Sequence, residues 1–149
     1  MFNNFANVWT IVGPASALSN AKPIGLSVAG ERIVLFRDAA QKAVALIDQC
    51  PHRGVALSLG RVEGGEIECP FHGWRFNGAG VNCATPFNPD AKRQYLHAQP
   101  LPLREDHGLL WLYTGFEPDA EPLFPETFSL KNTPGDISAS AIVLIYFLL

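Results

Sequence analysis

Short apolar runs alternate with polar turns along most of this chain, and the pattern predicts an all-β protein with few helices. Residues 33–36 (IVLF) place apolar side chains on both faces of an extended segment, which is typical of a strand inside a sheet. A tight turn is predicted at residues 28–31, just before this strand. A polar turn over residues 37–42 then leads into a second apolar strand over residues 43–48.

The ends of the predicted strands carry the residues with distinctive chemistry. The strand over residues 43–48 leads to Cys50, which begins the sequence Cys-Pro-His-Arg-Gly. The pair Gly64-Gly65 predicts a hairpin, and its second strand leads to Cys69, which begins Cys-Pro-Phe-His-Gly-Trp. Each short loop therefore offers one thiolate and one imidazole at a predicted turn.

Two cysteines and two histidines in this order form the ligand pattern of a Rieske [2Fe–2S] centre; they are Cys50, His52, Cys69 and His72. In such a centre two imidazoles replace two thiolates on one iron, which removes negative charge and makes reduction easier. Rieske potentials span about −150 to +300 mV, against about −400 mV for plant-type ferredoxins. The pattern therefore predicts an electron carrier.

Proline and glycine bracket both candidate loops. Pro51 and Pro70 each follow a cysteine and stiffen the turn before any metal binds. Gly54 and Gly73 allow a positive φ angle or a close approach of the backbone to the metal. This bracketing argues against four unrelated buried residues. A tetrahedral zinc site uses the same atoms, but zinc sites more often have two cysteines together and then two histidines.

The two loops resemble those of a known family. Cys-Pro-His-Arg-Gly, followed by Cys-Pro-Phe-His-Gly-Trp-x-Phe, resembles the N-terminal Rieske domain of aromatic ring-hydroxylating oxygenases, in the style of vanillate O-demethylase and pheophorbide oxygenase. Weaker similarity extends from residue 9 to about residue 126, through residues 9–13, 30–38, 57–60 and 107–113. The resemblance implies a Rieske fold: an antiparallel, β-sandwich-like base with a small cluster-binding subdomain of two hairpin loops.

The resemblance also implies a role for each loop residue. The two cysteines are expected to hold the buried iron, and the two histidines the outer iron, with their free nitrogens facing a partner. Arg53 is expected beside that exposed edge, where it helps a partner to dock. The residues expected to surround the ligands are Arg53, Gly54, Phe71, Gly73 and Trp74.

The chain departs from respiratory Rieske proteins in ways that predict a low potential. Those proteins carry a disulfide between the loops, and the matching positions here are Val55 and Phe71. They also place a serine, which bonds to a cluster sulfur, where this chain has Trp74. Fewer hydrogen bonds to sulfur stabilise the reduced state less, so we expect a midpoint potential of about −150 to −100 mV.

Length and charge bound the organisation. The chain has 149 residues and a net charge of −3, which argues against a nucleic-acid partner. We predict a Rieske domain over residues 1–126, with its cluster-binding part at about 48–86. Residues 127–149 are expected to be a linker and apolar tail, the truncated start of a missing catalytic domain.

The apolar run over residues 141–149 is too short to span a membrane, which takes about 20 residues. It is interpreted as a buried strand or as the abnormal end of a truncated reading frame. If it is unpaired, we expect it to favour a homo-oligomer.

The remaining cysteine and histidines are expected to be structural. Cys83 is left over once the loops are assigned, and it is predicted to be a packed thiol. His97 and His107 are predicted to be surface or satisfied structural histidines. A structural disulfide is then impossible in one loaded chain, and residues 1–7 show no secretory signal, so a cytoplasmic location is expected.

The resemblance implies electron transfer within a ring-hydroxylating dioxygenase or demethylase system. A reductase or ferredoxin is the expected donor, and the mononuclear iron of an oxygenase catalytic domain is the expected acceptor. The only histidines left for that second iron, His97 and His107, fall inside the Rieske-like region, so we expect no oxygenation by this chain alone. The alternatives are a free-standing Rieske-type ferredoxin and, less favoured, a zinc-bound structural module.

Overall fold

The computed structural model describes residues 7–88, 90–115 and 124. The described part is built from β-strands and three short 3₁₀ turns, at Ala15–Ala17, Leu57–Leu59 and Arg93–Tyr95. The strands are β1 (Trp9–Pro14), β2 (Ile24–Val28), β3 (Glu31–Arg37), β4 (Ala43–Ile47), β5 (Arg61–Glu63), β6 (Glu66–Glu68), β7 (Arg75–Phe76), β8 (Asn82–Ala84), β9 (Pro100–Leu101), β10 (Leu103–Asp106) and β11 (Leu109–Tyr113). The predicted all-β class is confirmed.

The strands form three antiparallel sheets. The outer sheet has the order β1-β11-β10, the middle sheet β2-β3-β4-β9, and the cluster-side sheet β5-β6-β7-β8. One hydrophobic core joins the outer and middle sheets and includes Ile33 and Leu35. A second core joins the middle and cluster-side sheets and includes Val34 and Phe36. Because β3 contributes to both cores, its four apolar residues are all buried, as its sequence predicts.

Two predicted turns are confirmed as hairpins. Ala29 and Gly30, with φ angles of 47° and 86°, connect β2 to β3. Gly64 and Gly65, with φ angles of 60° and 80°, connect β5 to β6. Positive φ at both central residues is the conformation that suits the twist of a two-residue hairpin, and glycine adopts it without steric cost. The second hairpin leads the chain to Cys69.

The C-terminal hairpin differs from the sequence expectation. The similarity to the family over residues 107–113 predicts one closing strand there, but His107 and Gly108 are the turn between β10 and β11. The pattern of Leu103–Asp106 did not predict a strand, because one apolar residue followed by three charged ones offers little alternation. Antiparallel pairing with β11 stabilises this segment as a strand although its own residue pattern does not favour one.

The predicted linker and apolar tail, residues 127–149, lie outside the described residues. Within the described part, no helix has the length and apolar character needed to cross a membrane. Phe124 packs edge-on against Trp9 and Trp111, at ring-centroid distances of 5.2 and 5.4 Å. The guanidinium of Arg104 lies 5.1 Å from the centre of the Phe124 ring, so the cation faces an aromatic surface.

Candidate metal centre

The two candidate loops enter the site by different routes. Ligand loop 1 (residues 50–55) follows β4 of the middle sheet and continues, through the 3₁₀ turn Leu57–Leu59, into β5 of the cluster-side sheet. Ligand loop 2 (residues 69–74) is the tip of the β6–β7 hairpin. The expectation of two hairpin loops therefore holds for loop 2, whereas loop 1 is a crossover between sheets, because β4 pairs with β3 and β9 and not with β5.

Both loops close with the same backbone hydrogen bonds. In loop 1 the Cys50 N–H donates to the Val55 carbonyl at 2.8 Å, and the Gly54 N–H donates to the Cys50 carbonyl at 2.8 Å. In loop 2 the Cys69 N–H donates to the Trp74 carbonyl at 2.8 Å, and the Gly73 N–H donates to the Cys69 carbonyl at 3.0 Å. Each cysteine is thus held by hydrogen bonds through both its N–H and its carbonyl group.

A glycine completes each turn. The φ angles of Gly54 and Gly73 are +74° and +66°, a region that other L-residues enter at a cost of about 1–2 kcal/mol. The prediction that these two positions use positive φ is confirmed. The resulting turns place a histidine third in loop 1 and fourth in loop 2, counted from the cysteine.

The two cysteines lie side by side in the second hydrophobic core. Each is only 2 % exposed, and both are free thiols. Burial raises the pKa of the Cys50 thiol from 9.0 to about 11, and the adjacent Cys69 thiol adds to that rise. Hydrogen bonds from the backbone N–H groups of His52 and Arg53 oppose it. These N–H groups favour a charged sulfur, which is the state that binds metal.

The two histidine rings meet at the outer end of the site. Their centroids are 4.7 Å apart, and the ring planes are inclined by 56°. The Nδ1 atom of His72 is buried and has no hydrogen-bond partner among the described residues. Partial burial, followed by the charges of His72 and Arg53, lowers the pKa of His52. Neutral imidazole with a free ring nitrogen is the form that binds a metal.

The four donors therefore form two pairs of like atoms, a buried sulfur pair and a half-buried nitrogen pair. Within the part of the chain that the structure describes, no group of three or more His, Cys, Asp or Glu is placed to hold one metal ion. A two-iron cluster with thiolates on one iron and imidazoles on the other needs donors in such pairs. The unpartnered Nδ1 atom of His72 is consistent with this group, since it is a buried acceptor that a metal would satisfy.

Aromatic side chains flank both histidines. The Trp74 indole stacks on the His52 ring with centroids 4.3 Å apart and an interplanar angle of 1°. The Phe71 ring lies 3.9 Å from the His72 ring, inclined by 36°. Trp74 is buried, while Phe71 is 59 % exposed and Arg53 is also exposed. All three were expected near the ligands, but the sequence did not predict that Trp74 would reach across to the other loop.

The structure adds a polar clamp that the sequence analysis missed. The buried carboxylate of Asp48 accepts hydrogen bonds from the Ser58 N–H and the Ser58 hydroxyl, both at 2.7 Å. These bonds tie the end of β4 to the 3₁₀ turn and so close the base of loop 1. The available signal was a charged residue at the end of an apolar strand, where burial needs a polar partner.

The remaining cysteine and histidines lie outside the site. The Cys83 thiol is half-buried and donates to the Val81 carbonyl at 3.4 Å, in agreement with a packed thiol. His97 is exposed, with its Nε2 atom 2.7 Å from the Gln94 carbonyl oxygen. His107 is also exposed, with its Nδ1 atom 2.8 Å from an Asp106 carboxylate oxygen. Their structural roles agree with the prediction.

Comparison with known proteins gives a consistent picture. Residues 8–97 match the family described as Rieske [2Fe-2S] domain. A putative toluene-4-sulfonate monooxygenase system iron-sulfur subunit of Comamonas testosteroni is 39 % identical over 116 residues, covering 78 % of this chain and 33 % of that protein. The oxygenase component of dicamba O-demethylase from Stenotrophomonas maltophilia is 32 % identical over 128 residues, covering 86 % of this chain and 38 % of that protein.

Solved structures agree with the sequence relatives. The crystal structure of apo dicamba monooxygenase superposes with a TM-score of 0.74 and 31 % sequence identity, covering 82 % of this chain and 37 % of that one. The predicted Rieske-type fold is thereby confirmed. This chain spans less than two fifths of the length of the relatives described above, so it corresponds to one part of them.

Proposed function

The chain belongs to the Rieske [2Fe-2S] domain family, and from that premise we propose that it relays electrons from a redox partner to the catalytic iron of an oxygenase. The family's cofactor is a Rieske-type [2Fe–2S] cluster, and the relatives are oxygenase components. The observation that carries the proposal is the pairing of donors, with two buried sulfurs at one end of the site and two half-buried imidazoles at the other.

We propose that Cys50 and Cys69 ligate one iron and that His52 and His72 ligate the other. The adjacency of the two thiols and the unpartnered Nδ1 atom of His72 support this assignment. When bound, the cluster supplies a site that accepts and releases one electron. The residues of the chain hold it in two turns whose backbone is fixed by hydrogen bonds, so the ligands move little when the charge changes.

The edge formed by the imidazoles is the proposed point of electron exchange. Among the residues of the two ligand loops, Arg53 is the only one with a charged side chain, and Phe71 is the most exposed aromatic. A partner that carries a carboxylate within an apolar surface would complement both. A similar chain, with a TM-score of 0.71 and 28 % identity, occurs in solved oxygenase and ferredoxin complexes of carbazole 1,9a-dioxygenase.

We therefore propose a ferredoxin or reductase as donor and a mononuclear iron in an oxygenase catalytic domain as acceptor. We also propose the domain division predicted above, with residues 1–126 as the Rieske domain and its cluster-binding part at about 48–86. A reducing compartment, such as the cytoplasm, suits the proposal, because three free cysteines include an adjacent pair that an oxidising compartment would favour joining.

A test begins with chain purified or reconstituted without oxygen. Iron and acid-labile sulfide should be present in equal amounts, and the dithionite-reduced protein should give the low-g EPR signal of a Rieske cluster. The midpoint potential should be about −150 to −100 mV by voltammetry. A colourless protein that holds zinc would contradict the proposed function, and a strongly positive potential would contradict the expected branch of the family.

The relay itself needs a kinetic test. The chain should be reduced by a ferredoxin–reductase pair in a stopped-flow experiment and reoxidised by a separately purified oxygenase catalytic domain. Charge reversal by Arg53→Glu should slow one of these steps and weaken its dependence on salt, because Arg53 is exposed beside the histidines. Transfer to neither partner, with the cluster intact, would contradict the proposal.

A further inference from the structure

Trp74 touches both ligand loops at once, through different parts of the residue. Its carbonyl accepts the Cys69 N–H at 2.8 Å and so closes loop 2. Its indole stacks in parallel on the His52 ring of loop 1 at 4.3 Å. We propose that Trp74 is a positioning residue that fixes the ring plane of His52 relative to loop 2; this inference rests on the proposed function.

The indole of Trp74 is itself firmly held. Trp74 is 6 % exposed and belongs to the second hydrophobic core, together with Cys50 and Cys69. Its backbone directly precedes β7, which pairs with β6 at Arg75 and Glu68. A buried indole that belongs to a packed core and whose backbone is fixed by a hairpin has little freedom to tilt. The indole can therefore hold the His52 ring of loop 1 in one orientation relative to loop 2.

Loop 1 by itself does not fix the orientation of the His52 ring. The terminal torsion of histidine is broad, so the backbone alone does not select one ring plane. The residue of loop 1 equivalent to Trp74 is Val55, which is too short to form an aromatic face over either histidine. Groups around a metal site commonly orient the ligand rings, and their loss lowers metal affinity by about 10- to 100-fold.

The aromatic neighbour of the other histidine provides a contrast. Phe71 lies against His72, but its ring is 59 % exposed and inclined by 36° to the imidazole. It lacks the enclosing core that holds Trp74. The structure therefore assigns the positioning role to Trp74 alone of the two, and this difference provides a matched control.

The test compares Trp74→Phe with Trp74→Leu, and both with Phe71→Leu. Trp74→Phe keeps a flat ring over His52, whereas Trp74→Leu keeps apolar bulk without a ring face. In Trp74→Leu we expect the EPR lines to broaden, because the ring plane is no longer unique, and the cluster to be lost to a chelator about tenfold faster. Trp74→Phe and Phe71→Leu should stay within about twofold of the wild type.

The outcomes separate this inference from the proposed function. Wild-type chain without iron and sulfide would overturn the proposed function. Cluster present in every variant, with Trp74→Leu equal to Trp74→Phe in line width and loss rate, would overturn only the role of Trp74. Loss in Phe71→Leu as fast as in Trp74→Leu would also overturn it, since a general loosening of the loops would then suffice.

A second variant decides the matter if Trp74→Leu does not fold. Trp74→Met fills the same apolar space with an adaptable side chain but has no flat ring to lie over His52. It should broaden the EPR lines and speed loss of the cluster to a chelator by about tenfold, as expected for Trp74→Leu. A line width and a loss rate equal to those of Trp74→Phe would overturn the inference.

Discussion

The two ligand loops have the same pattern of backbone hydrogen bonds but present their side chains differently. Both have the cysteine N–H bonded to the carbonyl five residues later, and a glycine N–H bonded back to the cysteine carbonyl. Loop 1 presents its histidine at the third position and Arg53 at the fourth, whereas loop 2 presents Phe71 at the third and its histidine at the fourth. One closed turn can therefore supply an imidazole from either of two positions, provided that the loops approach from different directions.

The loops also differ in what holds them. Loop 2 is the tip of a hairpin, so its two ends are fixed by paired strands. Loop 1 passes between sheets, and its base is closed by the Asp48–Ser58 clamp instead. The stack of Trp74 on His52 then links the two loops. Loop 1 therefore depends on side-chain contacts for geometry that loop 2 obtains from the pairing of its flanking strands.

The largest expected effect comes from removing a ligand from either loop. His52→Ala and His72→Ala should each abolish the Rieske EPR signal, because each removes one of the two imidazoles proposed to ligate the outer iron. The matched controls are His97→Ala and His107→Ala, whose rings are exposed and lie within hydrogen-bonding distance of the Gln94 carbonyl and the Asp106 carboxylate. A Rieske signal that survives in either loop variant would contradict the ligand assignment.

A close backbone approach beside the loops, between Gly60 and Glu68, should give the next largest effect. A Cβ atom added at Gly60 would lie 1.8 Å from the Glu68 carbonyl oxygen, just before Cys69. Gly60→Ala must shift one strand, so we expect a loss of about 3 kcal/mol in the free energy of unfolding, the upper end of the usual cost of overpacking, measured with denaturant. Gly108→Ala is the control, since it meets nothing within 4 Å and costs only its positive φ, about 1–2 kcal/mol. Equal losses would show that the close approach does not matter.

The clamp at the base of loop 1 should give a moderate effect. Ser58→Ala leaves one oxygen of the buried Asp48 carboxylate without its hydroxyl partner, and we expect it to lower the free energy of unfolding by about 1–3 kcal/mol. Ser27→Ala, in the strand beside it but exposed, is the control. Faster loss of the cluster in Ser58→Ala would show that the clamp holds loop 1, since loop 2 is held by its own strand pairing. An unchanged free energy of unfolding together with an unchanged rate of cluster loss would show that the clamp does not stabilise loop 1.

The smallest effect concerns the cysteine outside the loops. Burial, and then the nearby Glu66 carboxylate, raise the pKa of the Cys83 thiol, so less thiolate is present at a given pH. In cluster-loaded chain at pH ~8 we expect alkylation at Cys83 alone, slower than for a free thiol of ordinary pKa. Glu66→Gln should speed that reaction by about 2- to 10-fold, followed by mass spectrometry. Rapid alkylation of the loop cysteines in loaded protein would contradict their assignment.

The amino-acid sequence alone was enough to predict β3 and β4 of the middle sheet, the two glycine-containing hairpin turns and the four candidate donors. These are local properties: a run that is apolar on both faces, a Gly-Gly pair, and cysteine and histidine bracketed by proline and glycine each act over a few residues. The same local information could predict positive φ at Gly54 and Gly73, because only neighbouring atoms decide it.

The way in which the two loops meet depends on long-range packing. Leu103–Asp106 is a strand because β11 pairs with it, and loop 1 is a crossover because β4 pairs within the middle sheet. The Asp48–Ser58 clamp and the stack of Trp74 on His52 join residues 10 and 22 positions apart. Such contacts depend on which sheets pack together, and no short-range pattern of residues encodes that arrangement.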